Sequence, residues 1–460
     1  MNDSWINLSL LDIAMPTGTN SLSQALLDRF HEQFCSNPVF HVAMDTISRN
    51  GITSAIINRD LPFDTYHVYS ELIEPEAKAA NQKASGRCWL FAACNVLRLK
   101  IMKKYKLEEF EFSEAYLFWF DKLEKSNLFL DNIIKTADKD LDGRLMQHLL
   151  KGPVQDGGQW DMAVNLINKY GLVPKSFYPE SAQSSNSLML DWLLTAKLRD
   201  FAKRLRSLHK QDKSLDELYE NKNIMLGEIY NILSITLGVP PKKFDWEFRD
   251  KDKKFISFKD LTPQSFFKDH VNIDLGKFVS LVNDPRHEYN KLYTVEYLGN
   301  ITEGRPVLYI NLPVEELKRY SADAIKKGKS VWFGCDVGKF SNSQMGVMDL
   351  NLYDYKTAFG VSFNLNKADR LRYGESTMTH AMALCGIQFS SDNKPIRWCV
   401  ENSWGVDEGD KGYFSMTDEW FSEYVYQVVI DEDALSEEQR KILKQKPIVL
   451  PPWDPLGTLA

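Results

Sequence analysis

The chain has 460 residues, 43% apolar and 26% charged, enough for two or three cooperating domains around a sizeable core. A net charge of −7 argues against nucleic acid or an anionic membrane surface as the main partner, because phosphate binding needs a basic footprint. No stretch approaches about eighteen uninterrupted apolar residues, so no membrane-spanning helix is expected.

Residues 1–20 carry no clear pattern and no secretory leader: the patch Leu8–Met15 contains Asp12 and lacks a basic flank. Ser21 to Phe34 places Leu22, Ala25, Leu26, Phe30 and Phe34 at helical spacing. Glu71 to Lys83 reads as a loop that runs into Ser85-Gly86-Arg87-Cys88. Trp89 to Tyr105 predicts a helix, with Lys100, Lys103 and Lys104 toward the negative end of its dipole. Ser113 predicts an N-cap for a helix through Leu130. From Ala182 to Pro285 charged helical segments dominate, among them Leu198–Lys210 and Ser214–Leu237. Beyond Leu292 strand-type runs take over, at 330–334, 360–363, 382–387 and 426–430. The expected division is an N-terminal extension (1–60), a helical lobe (61–181), a helical insertion (182–290), a β-rich lobe (291–448) and a tail (449–460). Two unlike lobes with a cleft between them suit a site.

Several motifs fail on inspection. Asp138-Lys139-Asp140-Leu141-Asp142-Gly143 opens like a calcium loop, but the bidentate Glu needed at its twelfth position is Leu149. Gly328-Lys329-Ser330 ends like a P-loop whose first glycine would be Asp323, an acid that repels phosphate. The eight histidines make no paired metal spacing, so no metal and no cofactor are expected. The basic helix Leu198–Lys210 reads as a solvated or subunit-contact face. Six cysteines without a CxxC pair or a leader read as reduced thiols of a cytoplasmic protein. The sequons at Asn2, Asn7 and Asn300 are then chance matches.

One constellation carries chemistry. Cys88 sits where a glycine-containing loop becomes an apolar helix, so free N–H groups and the positive dipole end point at its sulfur and favour the thiolate. Gln82, six residues earlier, can offer an N–H to an oxyanion. His380 is predicted to start a strand and Asn402 to end another; an asparagine orients an imidazole without adding charge. Taken singly these are a small buried thiol, a loop glutamine, a core histidine and a turn asparagine. In the order Gln, Cys, His, Asn they form a nucleophilic site.

Gln82-Lys83-Ala84-Ser85-Gly86-Arg87-Cys88-Trp89-Leu90-Phe91, Gly157-Gly158-Gln159-Trp160, Thr379-His380-Ala381 and Asn402-Ser403-Trp404-Gly405 resemble the signature segments of papain and the cathepsins. Ser85 replaces a disulfide cysteine of the secreted members. Cys88 and His380 are 292 residues apart, against ~130–150 in those enzymes. Both departures, together with Trp332-Phe333-Gly334-Cys335-Asp336 and Pro452-Trp453-Asp454-Pro455-Leu456-Gly457, resemble the bleomycin hydrolases and their bacterial aminopeptidase C relatives. The resemblance implies an α+β, papain-like two-lobed cysteine peptidase fold with large helical insertions, assembled as a homohexamer. It implies Cys88, His380, Asn402 and Gln82 as the catalytic set, Gly157 and Gly158 as cleft lining, and Trp404 as a shield over the His–Asn bond. A papain-type acyltransferase and a non-catalytic scaffold are the alternatives. The implied substrates are peptides with a free N-terminus, and bleomycin-like amides.

The tail, Val449 to Ala460, has three prolines in five positions and the apolar residues Leu450, Trp453, Leu456 and Leu459. It predicts an extended segment with too much apolar area for a solvated end. The resemblance implies that it lies in the cleft, with Ala460 meeting the substrate's α-amino group.

Overall fold

The computed structural model describes residues 21–61 and 67–460, so the patternless residues 1–20 lie outside it. Packing divides the chain into two compact units, one of residues up to 59 with 353–363, the other of 60–352 with 364–460.

In the first unit, α1 (Gln24–Cys35) is capped by Ser23 and α2 (Pro38–Asn50) by Asn37. Gly51, at φ +82°, ends α2 and opens the short α3 (Ile52–Ala55). None of the three helices has a buried residue. Ile57 bridges to Tyr353, and the helix Tyr355–Phe359 packs on α2. The strand expected at 360–363 is not formed: Gly360, at φ +67°, caps that helix and the chain leaves it as coil.

The second unit holds the core. A two-residue strand β1 (Glu71–Leu72) precedes the loop to α4 (Cys88–Tyr105). Apolar residues lie on every face of α4, and Trp89, Leu90, Phe91, Leu97 and Ile101 are fully enclosed, as expected of a helix with core all round it. Ser113 caps α5 (Glu114–Lys135) by accepting from the Tyr116 N–H. Then come α6 (Arg144–Lys151), α7 (Trp160–Tyr170), α8 (Ala182–Ser185), α9 (Leu188–Lys210) and α10 (Leu215–Leu237), the last opened by a Ser214–Glu217 capping box. The stretch read as helical to 285 then turns into a hairpin, β2 (Phe244–Arg249) and β3 (Phe255–Leu261). Alternating Phe244, Trp246 and Phe248 drive that change of period, stacking against Tyr105, Phe258 and Phe266.

The remaining strands are β4 (Phe278–Val282), β5 (Lys291–Val295), β6 (Tyr309–Asn311), β7 (Val331–Cys335), β8 (Ser341–Asn342), β9 (Val347–Met348), β10 (His380–Phe389), β11 (Pro395–Glu401), β12 (Tyr413–Thr417), β13 (Val425–Asp431) and β14 (Ile448–Leu450). They form one sheet in the order β14-β5-β6-β4-β13-β7-β10-β11-β12-β9-β8, with β1 on β10. β10 is central: His380 lies opposite Cys335 of β7, and Ala383 opposite Glu401 of β11. α4 packs directly on β10. A helix N-terminus and the start of a strand are thereby brought to one place.

Candidate active site

Cys88 is the first residue of α4. The Leu90 and Phe91 N–H groups bond the Arg87 carbonyl, which leaves those of Cys88 and Trp89 for the sulfur. Burial pushes the thiol up to about 11, while N–H groups of Ala381, Trp89 and Cys88 itself pull the other way. Ala381 directly follows His380, so the start of β10 lies against the thiol. His380 Nε2 and Asn402 Oδ1 are 2.9 Å apart, so Nδ1 takes no part in that bond. Burial pushes the imidazole down to about 4, against the Asn402 bond, which raises it. Burial therefore disfavours either charge alone. A thiolate beside an imidazolium relieves both, since their attraction strengthens as water leaves.

Asn402 Oδ1 also accepts the Ser403 N–H at 2.8 Å, which fixes the amide. The half-buried Trp404 ring lies 4.9 Å from that of His380, centroid to centroid. Residues 80–82 run antiparallel to 403–405, with Gln82 N–H on Ser403 O at 2.8 Å and Gly405 N–H on Ala80 O at 3.0 Å. Gly405 has φ +88°, and a Cβ there would strike Asn81, so glycine is required. Gln82 Oε1 accepts from the Ser403 hydroxyl at 2.6 Å and its Nε2 donates to Ser85 O at 2.6 Å, which leaves one amide hydrogen free.

Gly157 and Gly158 form a floor beside Trp89. A Cβ on Gly158 would enter the Trp89 ring, and one on Gly157 would meet Leu459 and Ala460. Ala460 pairs with Gly158 in both directions, Gly158 N–H on Ala460 O at 3.2 Å and Ala460 N–H on Gly158 O at 3.3 Å. Gln159 Nε2 holds Thr458 O at 2.6 Å, and the Thr377 and Thr458 hydroxyls are 2.9 Å apart. The tail thus lies on the glycine floor, but it is not extended throughout. Asp454 caps a 3-10 turn, Pro455–Gly457, with proline at the first position, where no N–H is lost.

Sequence reasoning missed the groups that fix these loops. Arg87 is fully buried, paired through both terminal nitrogens with Glu180 at 2.9 and 3.1 Å, and Nε donates to Ser85 Oγ at 2.8 Å. Ser85 is thereby tied into this buried ion pair. Asp156 accepts from Gly86 N–H at 2.8 Å and from the Ser187 hydroxyl at 2.5 Å, and pairs with Lys122 at 2.6 Å. Lys125 donates to the carbonyls of Gln155 and Gly157 at 2.8 and 2.7 Å. Arg98 of α4 is ion-paired with Glu401, the neighbour of Asn402, and both are buried. The available signal was a cation set among apolar neighbours, such as Arg98 between Leu97 and Leu99, which must find a partner when buried.

The six cysteines, all within the described residues, are free thiols. Asn300 of the third sequon is fully enclosed and donates to Asp121 and Met162, so it offers no glycan site; Asn2 and Asn7 lie outside the described residues. Asp284, His287 and Asp454 are the one group of potential metal ligands among the described residues, and Arg286 already pairs with both carboxylates.

A thiol at a helix start, packed against a strand that begins with an asparagine-held histidine, is the arrangement of a papain-like cysteine peptidase. Residues 21–457 match the model of the Peptidase C1-like family, and the chain belongs to that family. It is 46% identical to human bleomycin hydrolase, covering 96% of this chain and 99% of that one. The mouse bleomycin hydrolase is 47% identical over 92% and 96%, and Streptococcus thermophilus aminopeptidase C 44% over 96% and 99%. Among solved structures, PepW from Lactobacillus rhamnosis superposes with a TM-score of 0.93 at 44% identity, covering 96% of this chain and all of that one.

Proposed function

We propose that this cysteine peptidase trims peptides from a free N-terminus and also hydrolyses the amide of bleomycin-like compounds, as the names of its relatives suggest. Cys88 as thiolate attacks the scissile carbonyl. The Cys88 N–H and the free Gln82 amide hydrogen receive the oxyanion. His380 protonates the leaving amine and then activates water to release the acyl-enzyme, while Asn402 holds the ring and Trp404 shields that bond. The observation that carries the N-terminal reading is the two-way pairing of Ala460 with Gly158. A floor already filled by 458–460 leaves room for little substrate before the scissile bond, and Ala460 is the residue we assign to meet its amino group.

A homo-oligomer, the hexamer implied by the resemblance, fits the apolar exposure. Leu188, Trp192 and Ile235 of α9 and α10 are 72, 62 and 84% exposed. A reducing, cytosolic setting fits Ser85 and the free thiols.

The test compares a free and an N-acetylated peptide of one sequence. The free peptide should lose residues singly from its N-terminus and the blocked one should be cut poorly. Cys88→Ala should lower hydrolysis of both by at least about 10⁴-fold with the fold retained. Equal rates on both peptides would overturn the N-terminal reading, and activity in a folded Cys88→Ala protein would overturn the mechanism.

A further inference from the structure

The tail reaches the glycine floor from an anchor outside the catalytic set. Asp284 and Arg286 lie on the β4–β5 loop, which is itself pinned: Asn311 Nδ2 donates to Asp284 O at 3.0 Å, and Asp284 N–H bonds Asn311 Oδ1 at 2.9 Å. Arg286 is held by Asp284, with Nη2 to Oδ2 at 2.6 Å and Nε to Oδ1 at 3.0 Å. The same Nη2 reaches Asp454 Oδ1 at 2.8 Å, and His287 Nε2 stands 3.6 Å from Asp454 Oδ2. Asp454 Oδ1 also takes the Leu456 N–H at 2.9 Å, which starts the turn that aims the chain toward the floor. Burial would push the Asp454 carboxyl up, but His287, the Leu456 N–H and Arg286 together hold it down at about 2, so the latch stays charged at neutral pH.

We propose that Arg286 and Asp454 form a latch that sets the register of the 455–460 segment on the glycine floor, and with it how many substrate residues fit before the scissile bond. They are positioning residues, acting through Ala460 rather than on substrate. This rests on the N-terminal-trimming reading. Beyond the latch the segment is held by neutral bonds, the Tyr309 hydroxyl on Leu456 O at 3.2 Å and the Gln159 and Thr377 contacts with Thr458, and by the pairing of Ala460 with Gly158. Neutral bonds are the weaker kind, and those with the floor compete with a peptide that needs the same backbone groups. The charged latch lies away from the floor and keeps the segment in place during that competition. Its loss gives the segment slack, so that a second substrate residue fits and a blocked amino group is tolerated.

The experiment uses Asp454→Asn, which keeps shape and removes charge, beside a deletion of 456–460. One peptide is offered free and N-acetylated, and products are sized by mass spectrometry. Because the readout is the ratio of kcat/KM for blocked over free peptide within one preparation, loss of folded protein cancels. Asp454→Asn should raise that ratio by about tenfold or more and release dipeptides as well as single residues. Arg286→Gln should do the same, and Asp454→Glu should restore single-residue release. If the deletion raises the ratio and Asp454→Asn does not, the latch is wrong and the tail reading stands. If neither changes it, the tail reading fails and the latch with it.

Discussion

The two sides of the site are held by different forces. On the strand side, His380 starts β10 on the ladder with β7, and Asn402 directly follows β11, whose last residue pairs with β12. On the helix side, Gln82, Cys88 and Gly158 are loop or helix-end residues outside the strands, with at most a local backbone pairing, and buried side-chain charges brace the loops. A strand places a catalytic residue through its register. A loop needs anchors of its own, and each anchor is a polar group that burial makes costly to break.

The pair that joins the two sides should show the largest effect on stability. Arg98→Met leaves the Glu401 carboxyl buried without its partner, and about 3–5 kcal/mol of stability should be lost in urea unfolding. Arg98→Met with Glu401→Leu should recover most of it, because the penalty comes from the orphaned charge. A loss below about 1 kcal/mol would mean that the two sides are braced independently.

Asp156 tests the helix side alone. Burial would raise its pKa, but Lys122 and the Asp191 and Ser187 hydrogen bonds hold it well below the usual carboxylate range. A depressed carboxyl contributes stability that is complete above about pH 4 and is lost as pH falls further. Asp156→Asn should therefore cost about 1.5–3 kcal/mol at pH 7, and the gap in urea midpoint from the parent should narrow below about pH 4. Activity should fall by more than the folded fraction, because Gly86 and the glycine floor both lose their tether. A gap that does not change with pH would remove the charge from the account.

The same contrast explains what the sequence made legible. The placements of Cys88, His380 and Asn402 at a helix start, a strand start and a strand end were legible because such boundaries are local features that periodicity reveals. The α4 helix and the central strands β7, β10 and β13 were readable for the same reason. The β2–β3 hairpin was missed because the charges of Asp245, Glu247 and Arg249 hid a period-2 apolar face. Gly360–Phe363 was misread because its β-type residues follow a glycine in the left-handed region. Arg87–Glu180, Lys122–Asp156 and Arg286–Asp454 join residues 93, 34 and 168 positions apart, and no local pattern marks such pairs.

The strand side should give the smallest effect, and its sign is fixed. The Asn402 side chain raises the His380 pKa by accepting from the ring, while burial lowers it. Asn402→Ala removes the raising contribution and leaves the burial, so the imidazolium becomes easier to deprotonate. With the ion pair as the working form, activity against pH is bell-shaped, and its alkaline limb marks loss of the His380 proton. That limb should move to lower pH in Asn402→Ala. A hydrogen bond worth about 1 kcal/mol corresponds to somewhat less than one pH unit. The ladder still holds β10, so the ring stays near the sulfur and the loss at the optimum should be modest, on the order of tenfold or less. Asn402→Asp separates the two roles of the residue: it keeps the acceptor and adds a negative charge, so the alkaline limb should move to higher pH instead. An alkaline limb that stays in place in both variants would show that another group sets it, and the strand side would then position His380 without tuning it.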